Sequence, residues 1–452
     1  MMTSTVSPLV PAHHHGITPV WLTSALRSTG VISQTTRVIA CVQHPVVAMT
    51  ISGEAREDGG GISGPQIVRL ALTYDGDPGP AQLIAKFGNW QDKHQMPAWP
   101  LSIRLIQVLG HMRLEEHFRS EVAFFQHIRP HVRGLLLPKI YYVAIAEART
   151  VSAWSYVVFD RRTPLRFCVL MEDLAVDHFS TGTPGESLSV ARMAQALTNI
   201  AQLHAFGWQK PHLWAHLQLR PTPFLTFLRA DEGRLRKHRD RWVKTNFIPT
   251  LLKRWAFRKR QGIPTPGFAI LQQPEMVAML TAFNASFATW ATEAAHTAQC
   301  APQTIVHGDC HGWNHLFNPH DACRLIDFQF LGTGRVADEL AHFFTMSFDP
   351  DPEAEETLLR LYHHALVAAG IHDYPYAQLV HEYRVSVLTL LLGNLVRAVT
   401  FLTPSAYAKL ARNPKWADLL RLGDLARERL MSRALCWYHT PHLRNTFFSV
   451  DG

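Results

Sequence analysis

The run Ile305-Val306-His307-Gly308-Asp309-Cys310-His311-Gly312-Trp313-Asn314, followed by Leu325-Ile326-Asp327-Phe328-Gln329, sets two carboxylates and an amide at intervals suited to phosphoryl transfer from a magnesium nucleotide. The transferred group stays negatively charged through a loose transition state, so a protein chiefly positions and neutralises it. One carboxylate must stand near the acceptor hydroxyl, where Asp309 would orient that hydroxyl or take its proton. Two hard oxygen donors must hold the metal, and Asn314 and Asp327 are of that kind. The plain alternative has Asp309 capping a turn and Asp327 ending a strand, and either event is common singly. The joint spacing, with an apolar strand ahead of each acid, favours the chemistry.

Phosphoryl transfer also needs a cation on the nucleotide phosphates. Lys86 ends the otherwise apolar Gln82-Leu83-Ile84-Ala85-Lys86-Phe87, where a charge needs a reason. Pairing with Glu121 while reaching the phosphates supplies one, and a lysine that merely snorkels from a sheet edge is the alternative. Upstream, Gly59-Gly60-Gly61-x-x-Gly64 could cover phosphates with its backbone N–H groups, above all at Gly60 and Gly61. It matches neither standard phosphate-loop pattern, and a plain hairpin loop fits it too. His307 is expected to bond backbone and fix the loop rather than to react. His204, on the apolar stripe of its helix, reads as a satisfied core histidine. Asp338 opens a helix after Gly332-Thr333-Gly334-Arg335, first as an N-terminal cap and second as a buried tie to the loop.

The elements that must carry these residues change character along the chain. Residues 1–16 are expected to be disordered. Thr18 to Gly30 has helical spacing, and Val46–Ile51, Ile67–Tyr74, Gln82–Phe87, Pro138–Ala146 and Phe167–Met171 read as strands. Arg113–Ile128 reads as a helix with Leu114, Phe118, Val122, Phe125 and Ile128 on one stripe. After Glu172 helices dominate, apart from a hairpin around Asn318-Pro319-His320-Asp321. The expected organisation is α+β and two-lobed: an N-lobe over 17–172, with a small antiparallel sheet and one main helix, and a larger, mainly helical C-lobe over 173–452.

Composition sets the bounds. At 452 residues the chain is too long for one small core. With 47% hydrophobic and 18% charged residues it is globular in composition. A net charge of +8 favours anionic partners without choosing among them. The basic, aromatic stretch 234–260 has no nucleic-acid module behind it, and reads as a solvated helical face or an anion-binding surface. Six scattered cysteines argue against a disulfide framework and for a reducing cytoplasm. No membrane span is expected, since Val385–Val399 is broken by Asn394 and Arg397. The aromatic region 210–300, with Trp208 ahead of it and Trp214, Trp242 and Trp255 within it, is the expected source of an acceptor pocket.

The motifs His307-Gly308-Asp309 with Asn314, and Ile326-Asp327-Phe328-Gln329, resemble the aminoglycoside phosphotransferase and choline kinase family, most of all its ecdysteroid-kinase-like branch. That resemblance implies a protein-kinase-like fold and a small-molecule kinase using ATP and Mg2+, with Asp309 as base, Asn314 and Asp327 as metal ligands, and Lys86 with Glu121 as the phosphate-positioning pair. It further implies that Met171 and Glu172 mark the hinge receiving adenine, and that Asp338 braces the catalytic loop. There is no Arg between His307 and Asp309, and Gln329 replaces the Gly that protein kinases carry after Asp-Phe. Both departures point to a small-molecule hydroxyl as acceptor. A catalytically inactive nucleotide-binding module and a protein kinase are the rival readings.

Overall fold

The computed structural model describes residues 10–11, 14–46, 48–49, 55–56, 66–87, 118–146, 166–217, 219, 221, 247–260, 270–400 and 414–448. The glycine cluster with Gly60 and Gly61, most of the segment 1–16, and residues 234–246 of the basic stretch lie outside these. The chain divides into two compact units. The first comprises Met1–Ser180 with Arg324–Leu331, and the second Thr181–Cys323 with Gly332–Gly452.

In the first unit, helix α1 (Pro19–Ser28) starts where Thr18 Oγ1 accepts the Trp21 N–H, with proline in the first turn, and buries Leu22, Ala25 and Leu26. Five longer strands follow: β1 (Arg37–Pro45), β2 (Gln66–Asp75), β3 (Gln82–Phe87), β4 (Ile140–Ala146) and β5 (Arg166–Glu172). They form one sheet in the order β1-β2-β3-β5-β4, each neighbour antiparallel. Strand alternation decides what Lys86 can meet. Leu83, Ala85 and Phe87 point into the core that α1 covers. Lys86 therefore points to the opposite face, across from Ile67 and Val169. A helix over residues 118–123, running into a π turn at Phe124–Ile128, packs on that face through Phe118, whose ring stacks on Phe167 at 4.6 Å.

The sequence placed the first strand at Val46–Ile51, where Ala48–Met49 does pair with Ala55–Arg56, but it passed over the longer strand Arg37–Pro45 that precedes it. This longer strand is the end strand of its sheet, and Ile39 and Val42 are both exposed on it. Apolar residues on its outer side erase the period-two signal by which a strand is read.

The second unit is mainly helical, with Val190–Gly207, Pro274–Ala285, Phe287–Cys300, α2 (Val336–Ser347), Pro352–Ala368, Tyr376–Thr400 and Pro414–His439. Short antiparallel strands Thr304–Val306 and Gly332–Gly334 pair at its centre. The α+β class, with a small antiparallel sheet and a larger helical part, is the expected one. Among the described residues no helix is long and apolar enough to cross a membrane. Val385, Val387, Leu388 and Leu391 are buried within Tyr376–Thr400, as a core helix requires.

Candidate functional site

In the first unit the strand alternation described above delivers Lys86 to a pair of acids. Its Nζ lies 2.7 Å from Glu121 Oε1 and 2.5 Å from Asp327 Oδ1. Lys86 is 5% and Glu121 1% exposed, while the Asp327 side chain keeps 26% exposure. Burial would lower the lysine, but Asp327 and Glu121 outweigh it and hold the ammonium protonated well above its ordinary value. Burial pushes the Glu121 carboxyl up, against the pull of Lys86 and of the Phe328 backbone N–H.

Asp327 reaches this cluster because Arg324–Leu331 belongs to the first unit. The Leu325 N–H donates to the Leu136 carbonyl at 3.0 Å, and the Phe328 ring stacks on Phe124 at 3.6 Å with an 8° interplanar angle. The turn between them puts Asp327 at φ 68°, a left-handed conformation that Asp tolerates better than most residues. Strained backbone of this kind is retained where the surroundings over-determine it. Asp327 Oδ2 accepts the Gln329 amide at 3.2 Å, so the glutamine in place of glycine steadies the acid.

In the second unit the loop after Thr304–Val306 carries Asp309. Gly308 sits at φ 85°, where a side chain would be strained, which accounts for the missing arginine. The backbone N–H groups of His307 and Gly308 donate to Glu339 at 3.1 and 2.6 Å, and the Asp309 N–H donates to His307 Nδ1 at 3.3 Å. The Asp309 carboxylate faces His311 at 3.4 Å and His342 at 3.9 Å. Burial would raise its carboxyl, but His311, then His342 and His307, outweigh burial and hold it well below the carboxylate range. Asn314 Nδ2 donates to the Asp309 carbonyl at 2.9 Å, which turns its Oδ1 the other way.

Two of the expected roles need correction or narrowing. Asp338 neither caps the helix nor ties the loop. Arg335 occupies the cap position of α2, and Asp338, one turn in, pairs with Arg335 at 2.5 Å and accepts the Ser386 hydroxyl at 2.8 Å. The acid that holds the loop is its neighbour Glu339. His204 Nε2 lies 2.7 Å from Glu339, and His204 Nδ1 2.6 Å from the Tyr362 hydroxyl. The only sequence signal for Glu339 was a second acid beside the one chosen. At the end of β5, the Glu172 N–H already donates to the Lys139 carbonyl at 2.8 Å and its carboxylate accepts the Lys139 N–H. An adenine edge at Met171 and Glu172 would have to use other backbone groups.

Of the tryptophans considered for an acceptor pocket, Trp208 packs in the core against Tyr374 at 5.1 Å, and Trp214 donates to the Gly207 carbonyl. Trp242 lies outside the described residues. Trp313, in the loop itself, stacks on His311 at 3.8 Å and lines a cavity of about 350 Å³ with Thr183, Glu186, Arg192 and Asp321.

No curated protein matches the chain. Among solved structures, it is similar to a macrolide 2′-phosphotransferase from Brachybacterium faecium (14% identity, covering 78% of this chain and 89% of that one, TM-score 0.35). It is also similar to an ethanolamine kinase from Plasmodium vivax (12% identity, 89% and 84% covered, TM-score 0.36) and to an aminoglycoside phosphotransferase from Alicyclobacillus acidocaldarius (16% identity, 84% and 90% covered, TM-score 0.34). The family model of the ecdysteroid kinase-like proteins matches residues 109–372, more than half of the chain and the whole span from Glu121 to Glu339. By that match the chain is a member of the ecdysteroid kinase-like family.

Proposed function

We propose that the protein is an ATP- and magnesium-dependent kinase that phosphorylates a hydroxyl of a small molecule. The observation that carries the reading is the buried ammonium of Lys86 held between Glu121 and the partly exposed Asp327. A buried ion pair is poor value for stability alone, and a functional role explains its retention better. In this reading Lys86 neutralises the nucleotide phosphates and Glu121 keeps it extended. Gly60 and Gly61 cover the phosphates, and the strand end at Met171 and Glu172 receives the base.

Asp309 takes the part of base. Its depressed carboxyl stays anionic and accepts a hydrogen bond from the acceptor hydroxyl, collecting the proton late, as a loose transition state asks. The donors fit magnesium: Asp327 is a carboxylate, and the Asn314 amide oxygen is turned away from the bond its nitrogen makes. Bound magnesium would neutralise charge on the phosphates. His307 supports the loop from within and Glu339 from the helix behind it, while Asp338 only pairs with Arg335 at the start of that helix. The cavity beside Trp313 falls in the size range of small-ligand sites, which supports a small-molecule acceptor.

The test is a metabolite library incubated with ATP and magnesium and read by mass for a phosphoryl gain. Asp309→Asn should abolish the product. A product formed equally by wild type and Asp309→Asn would sink the assignment. Magnesium-dependent nucleotide binding with no transfer to any acceptor, water included, would mark an inactive module instead.

A further inference from the structure

Helix α2 presents two side chains to the loop from one face, since residues three apart are neighbours on a helix. Glu339 takes the His307 and Gly308 N–H groups. His342 sets its Nε2 3.9 Å from Asp309 Oδ1, while His311 Nε2 stands 3.4 Å from the other oxygen, Oδ2. An imidazole thus flanks each oxygen of the acid, and both rings are buried. The two differ in origin. His311 belongs to the loop itself, and its Nε2 also lies 3.3 Å from the Asn314 amide nitrogen. His342 belongs to a helix buried along nearly its whole length, so it references the carboxylate to an element outside the loop.

We propose that His342 is a positioning residue for Asp309: its Nε2–H donates to Oδ1, fixes the plane of the carboxylate, and leaves that anion aimed at the acceptor hydroxyl. The inference rests on the kinase reading. In it the acceptor O–H bond breaks and its proton passes to Asp309. The acceptor oxygen bonds to the γ-phosphorus, and ADP leaves with the electron pair of the broken bond. The 3.9 Å contact is roughly 1 Å longer than a charge-assisted hydrogen bond, and such contacts tighten when substrate is bound. Facing His342 are the Asp309 carboxylate and His311, whose ring centroid lies 6.5 Å from its own, and His307 also bears on Asp309. Glu339, on the same helix, is turned to the loop amides and His204.

Two measurements on the full chain decide it. The first needs no turnover: ¹H–¹³C spectra of histidine-labelled protein, with the His342 signal assigned by its loss in His342→Gln. Asp309→Asn should lower the titration midpoint of His342 by about one unit or more, since an anion within 4–6 Å is removed. An unmoved midpoint overturns the proposal, whatever the protein's activity. The second compares His342→Gln, which keeps an N–H donor, with His342→Phe, which keeps only bulk. ATP turnover, with water or an identified hydroxyl compound as acceptor, should stay near wild type in the first. In the second, kcat should fall roughly tenfold to a hundredfold at unchanged KM for ATP. Equal turnover in both folded variants overturns the proposal. No turnover in any protein, wild type included, counts against the kinase reading, and the spectra then decide the contact alone.

Discussion

Lys86 Nζ and Asp327 Oδ1 lie 2.5 Å apart although 241 positions separate them in the chain. The contact closes within one unit because an eight-residue segment, Arg324–Leu331, leaves the helical part of the chain and packs with the sheet. The stacked rings of Phe124 and Phe328 and the bond from Leu325 to Leu136 hold it there. The residues nearest this pair set the first prediction.

Lys86→Met removes the cation between two acids. Glu121, almost fully buried, must then stay charged without a partner or take up a proton, and breaking a buried pair in this way costs about 3–5 kcal/mol. Adding Glu121→Gln should recover most of that stability and none of the turnover. Urea unfolding of the single and double variants, run beside ATP turnover, separates the two effects.

Asp309→Asn keeps the shape of the loop, because the Asp309 backbone N–H and carbonyl bonds to His307 and Asn314 survive. Turnover should drop by roughly 10²–10⁴-fold, the usual share of a positioned base. Nucleotide affinity, measured by calorimetry, should stay within about twofold of wild type, roughly 0.4 kcal/mol.

Glu339→Gln should weaken the protein in a pH-dependent way. Burial would raise this carboxyl, but the hydrogen bond and charge of His204, then His307 and the Gly308 N–H, hold it below its usual 4.5. A carboxyl depressed on folding contributes stability that is present in full above about 4.5 and is lost as pH falls through the folded value. Wild type should therefore lose more urea resistance than Glu339→Gln between neutral and acid pH, and the two curves should converge at the acid end. Parallel curves would show that Glu339 carries no depressed charge.

Gly207→Ala opposes two effects of known size. Alanine gains about 1 kcal/mol over glycine within a helix. Here its Cβ would lie 2.5 Å from the Ile305 backbone nitrogen, on the strand that leads into the Asp309 loop. Backbone cannot yield as a side-chain tip can, and overpacking costs about 1–3 kcal/mol. The clash should win, giving a lower thermal midpoint and reduced turnover together.

Much of this was legible in the residues themselves. Strand β3 was read to the residue, because its apolar alternation is regular and its ends are marked. The positions of Asp309, Asn314 and Asp327 follow from short-range spacing, since one loop and one turn carry them. That a lysine at Lys86 needs an acid also follows from charge alone.

What the chain order does not carry is which of two adjacent groups faces inward. Asp338 and Glu339 are neighbours on a helix, so their side chains diverge by about 100° around its axis. Only the packing of α2 decides that Glu339 meets the loop while Asp338 turns to Arg335 and Ser386. The same holds for His204, His342 and Tyr362, whose partners lie many residues away and leave no local pattern. Composition and periodicity thus set the class of the fold, and local spacing singles out the candidate groups. Their orientation arises from long-range close packing, where a helix turned by one residue would present a different set of atoms.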